Sequence, residues 1–138
     1  MPEIAMGALS RNGMLLLARR NSGRRIYPDR WSLPGGHIED GEDAETAMRR
    51  ELMEEISITP ERWRLAAKFV SQAPPEASAT FHVYHVDQWQ GLPQLVGDEH
   101  TELRWFTPSE ITSETELAPP QLGEILVKLL ERETGKSG

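Results

Sequence analysis

From Asp43 to Ile58 the chain runs without a glycine or proline, and Asp43 is a residue whose side-chain oxygen caps a helix start. The stretch predicts a helix over roughly residues 43–57. Glu51, Glu54 and Glu55 then stand at i, i+3 and i+4, and at about 100° per residue they share one face. Three like charges on one face repel and cost helix stability unless a cation sits among them. Hard divalent ions such as Mg²⁺ or Mn²⁺ prefer carboxylate oxygens, and Arg50 is adjacent in sequence to orient one of the acids. A solvated acidic face is the alternative that spacing alone leaves open. The glycine-rich turn at Gly35-Gly36 weighs against it, because bare backbone there can approach a ligand closely.

The rest of the chain supplies strands around this helix. Apolar runs at Ile4 to Leu9 and Met14 to Arg19 flank Asn12-Gly13, a pair that favours a tight hairpin turn because both residues tolerate positive φ. Residues Asn21 to Asp29 read as a polar loop leading into a short strand, Trp31-Ser32-Leu33, which Pro34-Gly35-Gly36 ends. Trp63 to Val70 and Thr80 to Val86 read as strands around a loop at 71–78, and Leu103 to Phe106 as a further strand. After Pro119-Pro120, Leu122, Ile125, Leu126, Leu129 and Leu130 recur at helical spacing, so an amphipathic helix over 121–133 packs on the sheet. One domain over 1–138 is expected, with a tail fraying from about Glu133.

Charge and composition narrow the function. Residues 1–30 carry +4, through Arg11, Arg19, Arg20, Arg24, Arg25 and Arg30, whereas Glu39 to Glu55 carries −6. Two such segments can meet around one anion and its metal ions, or stand apart as solvated faces. The net charge of −7 disfavours a nucleic-acid polymer as partner. Cysteine is absent, which excludes disulfides, zinc fingers and a thiol nucleophile. The longest apolar run, Met14 to Ala18, is far too short for a membrane span, and no apolar stretch follows the N-terminus as a secretory signal needs. A soluble cytoplasmic protein is expected. His82 and His85 are three apart on a strand and point to opposite faces, so they share no metal. His37 and His100, the latter in a loop, read as solvated or packed. There is no G-x-S-x-G elbow, P-loop or EF-hand spacing.

From Gly36 the chain reads GHIEDGEDAETAMRRELMEEISI. This resembles the box of the Nudix hydrolase family, MutT-like: Gly, five residues, Glu, seven residues, Arg-Glu-apolar, one residue, Glu-Glu, one residue, Gly, apolar. Gly36, Glu42, Arg50, Glu51, Leu52, Glu54, Glu55 and Ile58 fall on that pattern, which spans residues 36–58. Ser57 stands where the family has glycine, so some strain or a shifted cap is expected there. Trp31 to Gly36, Leu15 to Arg20 and Glu102 to Phe106 are also similar to segments of MutT-like members.

The resemblance implies an α/β/α sandwich with a mixed β-sheet, and a Mg²⁺-dependent pyrophosphohydrolase, with Mn²⁺ as a substitute. Its substrate would be a small-molecule nucleoside triphosphate, oxidised or otherwise non-standard, cut to monophosphate and diphosphate. Glu51, Glu54 and Glu55 would ligate the metal with the Gly35 carbonyl, supported by Glu42 and Arg50. Glu54 and Glu99 are the candidate bases, with Glu102 third. Arg19 would hold a phosphate, Trp105 or Phe81 would stack on a base, and Gln121 would read it. Alternatives are an ADP-ribose, nucleotide-sugar or dinucleoside polyphosphate hydrolase, and a catalytically silent Nudix-fold nucleotide sensor. A monomer or homodimer is expected.

Overall fold

The computed structural model describes residues 1–72 and 74–135. In chain order it contains β1 Glu3–Arg11, β2 Met14–Arg20, β3 Trp31–Ser32, β4 Gly35–His37, α1 Ala44–Ile56, β5 Thr59–Ser71, a 3₁₀ turn Pro75–Ala77, β6 Ala79–Gln90, β7 His100–Phe106, α2 Pro108–Ser113 and α3 Leu122–Gly135. The β1–β2 hairpin turns at Asn12 (φ 53°) and Gly13 (φ 76°), the pair of positive φ values that matches strand twist.

β1 is the centre of the fold. It pairs antiparallel with β2 and β4 and parallel with β6, while β5 lies outside β6 and β7 pairs with β2. The sheet is mixed, and both faces are covered. On one side Ala5, Leu9 and Leu16 pack with Ala47, Met48, Leu52 and Ile56 of α1. On the other, Met6, Ala8, Leu15 and Leu17 pack with Ile111 of α2 and with Leu122, Leu126, Leu129 and Leu130 of α3. Burial on both faces explains why β1 and β2 read as apolar runs, with no alternation of apolar and polar residues. The layers form the expected α/β/α sandwich.

Several elements differ from the sequence reading. Gly35-Gly36 do not turn: with His37 they form β4, laid against Ile4, Ala5 and Met6 of β1. β5 and β6 are longer than expected and β5 is bulged. Pro60 sits inside β5 because an outer strand has no neighbour to receive its missing N–H. α2 was overlooked, although Thr107 and Glu110 form a capping box at its start, each side chain bonding the other's backbone N–H. α3 is helical through Gly135, over the first residues of the tail expected from Glu133, and residues 136–138 of that tail lie outside those described.

α1 starts where Asp43 accepts a hydrogen bond from the Thr46 N–H at 2.8 Å. It ends at Ser57, held in the left-handed region (φ 59°, ψ 39°) with its N–H donating to Met53 O at 3.2 Å. The cap has therefore not moved, and a residue with a Cβ bears the strain. Ser57→Gly is expected to stabilise the protein by about 0.5–1 kcal/mol, read as a higher denaturant midpoint.

Candidate active site

The same helix places its three glutamates in three environments. The Glu54 side chain is 58% exposed, Glu51 14% and Glu55 6%. Glu55 Oε2 accepts the Gly35 N–H at 2.7 Å. Its other oxygen, Oε1, is buried and has no hydrogen-bond partner among the described residues. β4 lies so close that only hydrogen fits on the α-carbons of its two glycines. A Cβ on Gly36 would sit 2.5 Å from the Glu51 carboxylate, and one on Gly35 would strike the Ala5 carbonyl. The two glycines thus allow backbone to lie directly against Glu51 and Glu55.

Arg50 ties the acids together. Its guanidinium donates to both oxygens of Glu42 at 2.7 and 2.9 Å, to Glu51 at 2.8 Å, to Glu54 at 3.2 Å and to the His37 carbonyl at 3.1 Å. This fork, with the Glu39 N–H, holds the Glu42 carboxyl down at about 2. Burial pushes the Glu51 carboxyl up despite Arg50. Burial pushes the Glu55 carboxyl further, to about 10, reinforced by Glu99 and then by the charge of Glu51. Contact with Glu55, followed by the charges of Arg24 and Arg20, keeps Glu99 below the usual carboxylate range. A proton held between Glu55 and Glu99 favours Glu55, the more buried of the two.

Glu99 reaches Glu55 through β7. Arg20 of β2 pairs with His100, and the Asn21 N–H donates to Glu99 O at 3.0 Å. His100 is therefore no loop residue. It starts a strand, is buried, and its Nδ1 lies 3.9 Å from Glu55 Oε1. Burial, then Arg20, drives its pKa down to about 4, leaving a neutral ring. Ligand atoms of Glu55, Glu99 and His100 all lie within 4.8 Å of one another. Sequence spacing could not show this, because the residues join through strand pairing.

A cavity of about 330 Å³ opens beside these acids, lined by Arg20, Arg24 and Arg25 on one side and by Gly35, Gly36 and His37 on another. Ile4, Met6, Tyr27 and Phe81 add an apolar wall. Arginines of the basic segment line the cavity, and the acidic segment borders it through Gly35, whose N–H binds Glu55. Arg20 is held in place by the Ile26 and Tyr27 carbonyls, to which it donates at 2.8–3.1 Å. A larger groove of about 910 Å³, bounded by Ile111, Thr112, Val127 and Lys128 of α2 and α3, contains none of the box carboxylates.

Three expected substrate contacts lie elsewhere. Arg19 donates to Asp29 O at 3.2 Å over the Trp31 ring, because adjacent strand residues point oppositely and it is Arg20 that lines the cavity. Trp105 stacks on Trp89, with centroids 6.2 Å apart, in the α1 layer, whereas its neighbour Phe106 enters the α3 layer. Gln121 donates to Val70 O at 3.4 Å and is exposed. Of the two aromatics weighed, Phe81 lines the cavity, stacked on Phe69 at 5.2 Å.

A buried carboxylate oxygen with no partner, beside two further carboxylates, suits a hard divalent cation. The oxygen donors gathered around Glu55 therefore fit such an ion.

The NUDIX domain model matches residues 1–129. The chain belongs to the Nudix family. It is 30% identical to the 8-oxo-dGTP diphosphatase of Escherichia coli over 127 residues, covering 92% of this chain and 95% of that one. It is 27% identical over 112 residues to the nucleoside triphosphatase NudI of Salmonella typhimurium, covering 75% and 79%. Among solved structures, the MutT Nudix hydrolase of Burkholderia pseudomallei superposes with a TM-score of 0.81 at 28% identity, covering 92% and 95%. This Nudix protein is thus a hydrolase by family, of the pyrophosphatase kind, and its relatives generally use a divalent metal. Among the described residues no helix is long and apolar enough to cross a membrane.

Proposed function

We propose that this Nudix hydrolase is a Mg²⁺-dependent pyrophosphohydrolase of small nucleoside triphosphates, with an oxidised or non-standard base among its preferred substrates. The observation that carries the reading is the unpartnered oxygen of Glu55, set between carboxylates at the edge of a cavity lined by arginines. Similarity to the Escherichia coli 8-oxo-dGTP diphosphatase supports it.

Bound at Glu51, Glu54, Glu55 and the Gly35 carbonyl, the divalent ion would offset phosphate charge and acidify a water. The protein's own groups do the rest. Arg24 and Arg25 attract the phosphates, and a guanidinium suits their oxygens. Ile4, Met6 and Phe81 offer the base an apolar wall. Arg50 and Glu42 hold Glu51 and Glu54 in register. Glu54, exposed apart from that contact, accepts the proton of the attacking water, and Glu99 is the second group able to do so. The water oxygen bonds to one phosphorus of the α–β anhydride, the P–O bond from that phosphorus to the bridging oxygen breaks, and the nucleoside monophosphate and the diphosphate part, one carrying the water oxygen and the other the bridging oxygen.

A hydrolysis panel tests this. It holds normal and oxidised nucleoside triphosphates, ADP-ribose and dinucleoside polyphosphates, each with and without Mg²⁺. The expected result is Mg²⁺-dependent conversion of a triphosphate to monophosphate and diphosphate, falling about 10²–10⁴-fold in Glu54→Gln. A clear preference for ADP-ribose or a dinucleotide would overturn the substrate class. Metal binding with no turnover of any of them would leave a nucleotide sensor.

A further inference from the structure

We propose that the groove between β5 and α3 is an anion site, which takes a phosphoryl group on the guanidiniums of Arg64 and Arg132 and the ammonium of Lys128. It lies on the outer strand of the sheet and shares no lining residue with the catalytic cavity.

The groove arises from small residues at a bulge. β5 shifts register on β6 between Leu65 and Ala67, so Ala66 is an extra residue on the outer strand. The short side chains of Ala66 and Ala67 leave a space of about 190 Å³ beneath α3. Across it, Ile125, Lys128, Leu129 and Arg132 recur at i, i+3, i+4 and i+7, one stripe of the helix. Lys128 and Arg132 are thus neighbours of like charge, and Arg64 adds a third cation from the strand. The space suits a phosphate or diphosphate, and is smaller than the cavity of about 330 Å³ that takes the nucleotide.

Charge here runs against the rest of the molecule. The chain has a net charge of −7, yet among the described residues no carboxylate lines this groove. The acids nearby are engaged: Glu133 with Ser10 and His85, Asp87 with Arg62, and Glu124 with Lys128 at 3.4 Å on the exposed rim. Arg132 pairs with no carboxylate among the described residues. Arg64 is fixed from behind, donating to His85 Nδ1 at 3.3 Å. That nitrogen is the acceptor because His85 Nε2 faces the Glu133 carboxylate at 2.9 Å and so carries the proton. One donor of Arg64 holds the fork in place, and the others are left for an oxyanion. Three cations over an apolar floor of Ile125 and Leu129 repel each other more than they would in water. A bound oxyanion offsets that repulsion, and guanidinium forks match phosphate oxygens.

The test uses the full chain at low salt without divalent metal, titrated with inorganic diphosphate, inorganic phosphate or a nucleoside monophosphate. NMR reads the guanidinium Nε–H signals of Arg64 and Arg132 and the amides of Ala66, Ala67 and Leu129. Diphosphate is expected to shift these signals together, with Arg132→Gln weakening that binding about 10-fold. Mg²⁺-dependent hydrolysis by the same variant should stay within about twofold of the wild type, as for a surface change away from the cavity. Arg64→Gln is expected to weaken diphosphate to a similar extent. If it fails to fold for want of the His85 contact, Arg132→Gln decides. Tighter binding of diphosphate or phosphate than of the monophosphate assigns a free anion, and the reverse order assigns a phosphate carried by a nucleoside. Either order supports the site. Unmoved groove signals, or equal diphosphate affinity in a folded Arg132→Gln variant, would overturn the proposal. So would self-association that Arg132→Gln abolishes with no response to diphosphate, since the groove would then hold an acidic segment of a second copy.

Discussion

Replacing Glu55 by Gln is expected to lower hydrolysis by at least about 100-fold while making the metal-free protein more stable above neutral pH. Both effects come from one buried oxygen. Glu55 Oε1 has no partner, and burial with Glu99 and Glu51 nearby pushes the carboxyl from 4.5 up to about 10. A carboxyl whose folded pKa is raised contributes its stability when protonated. That contribution is complete below the unfolded value near 4.5 and is lost as pH rises towards about 10. The metal-free wild type should therefore melt at progressively lower temperature across that window. Glutamine is neutral, can keep the contact with the Gly35 N–H, and turns an amide towards Glu99. Its gain grows as pH rises above 4.5, because glutamine need not take up a proton on folding. Saturating Mg²⁺ should raise the wild-type melting temperature and leave the variant almost unmoved. A pH series of thermal melts with and without Mg²⁺ checks both signs.

The second large effect is expected at Arg50→Lys. The guanidinium makes five hydrogen bonds, to Glu42 twice, Glu51, Glu54 and the His37 carbonyl. An ammonium keeps the charge but has three donors and no planar fork, so it cannot hold Glu42 bidentately and also reach Glu51 and Glu54. The acids then repel each other out of register. We expect kcat to fall about 10–100-fold, with a smaller change in KM, because no described contact places Arg50 in the cavity wall. Steady-state kinetics separate the two. The Glu42 carboxyl, now held at about 2 by that fork, should titrate closer to the ordinary range, visible by carbon-detected NMR.

The box and its helix were legible because their information is local. Glu51, Glu54 and Glu55 share a face through helical spacing, Asp43 caps, and Asn12-Gly13 turns, each needing only near neighbours in the chain. α2 was equally local, and its signal, Thr107 with Glu110, stood in the sequence unread. Gly35-Gly36 were read as a turn because glycine allows one. Their actual role, letting β4 lie against β1, Glu51 and Glu55, depends on partners distant in sequence.

Arg19, Trp105 and Gln121 show the same limit from the other side. Each stands near the position expected of it along the chain, yet a strand sends neighbouring side chains to opposite faces, so a single step in register exchanges Arg19 for Arg20 at the cavity. By itself the sequence determined the family, the layered fold and the acidic helix face, since these follow from periodicity and a motif spaced along one element. Only the tertiary structure decided that Glu99 and His100 meet Glu55, with Arg20 paired beside them. The pairing of Arg20 with His100 that joins them is a long-range backbone contact, whose free energy comes from burying both faces of the sheet at once.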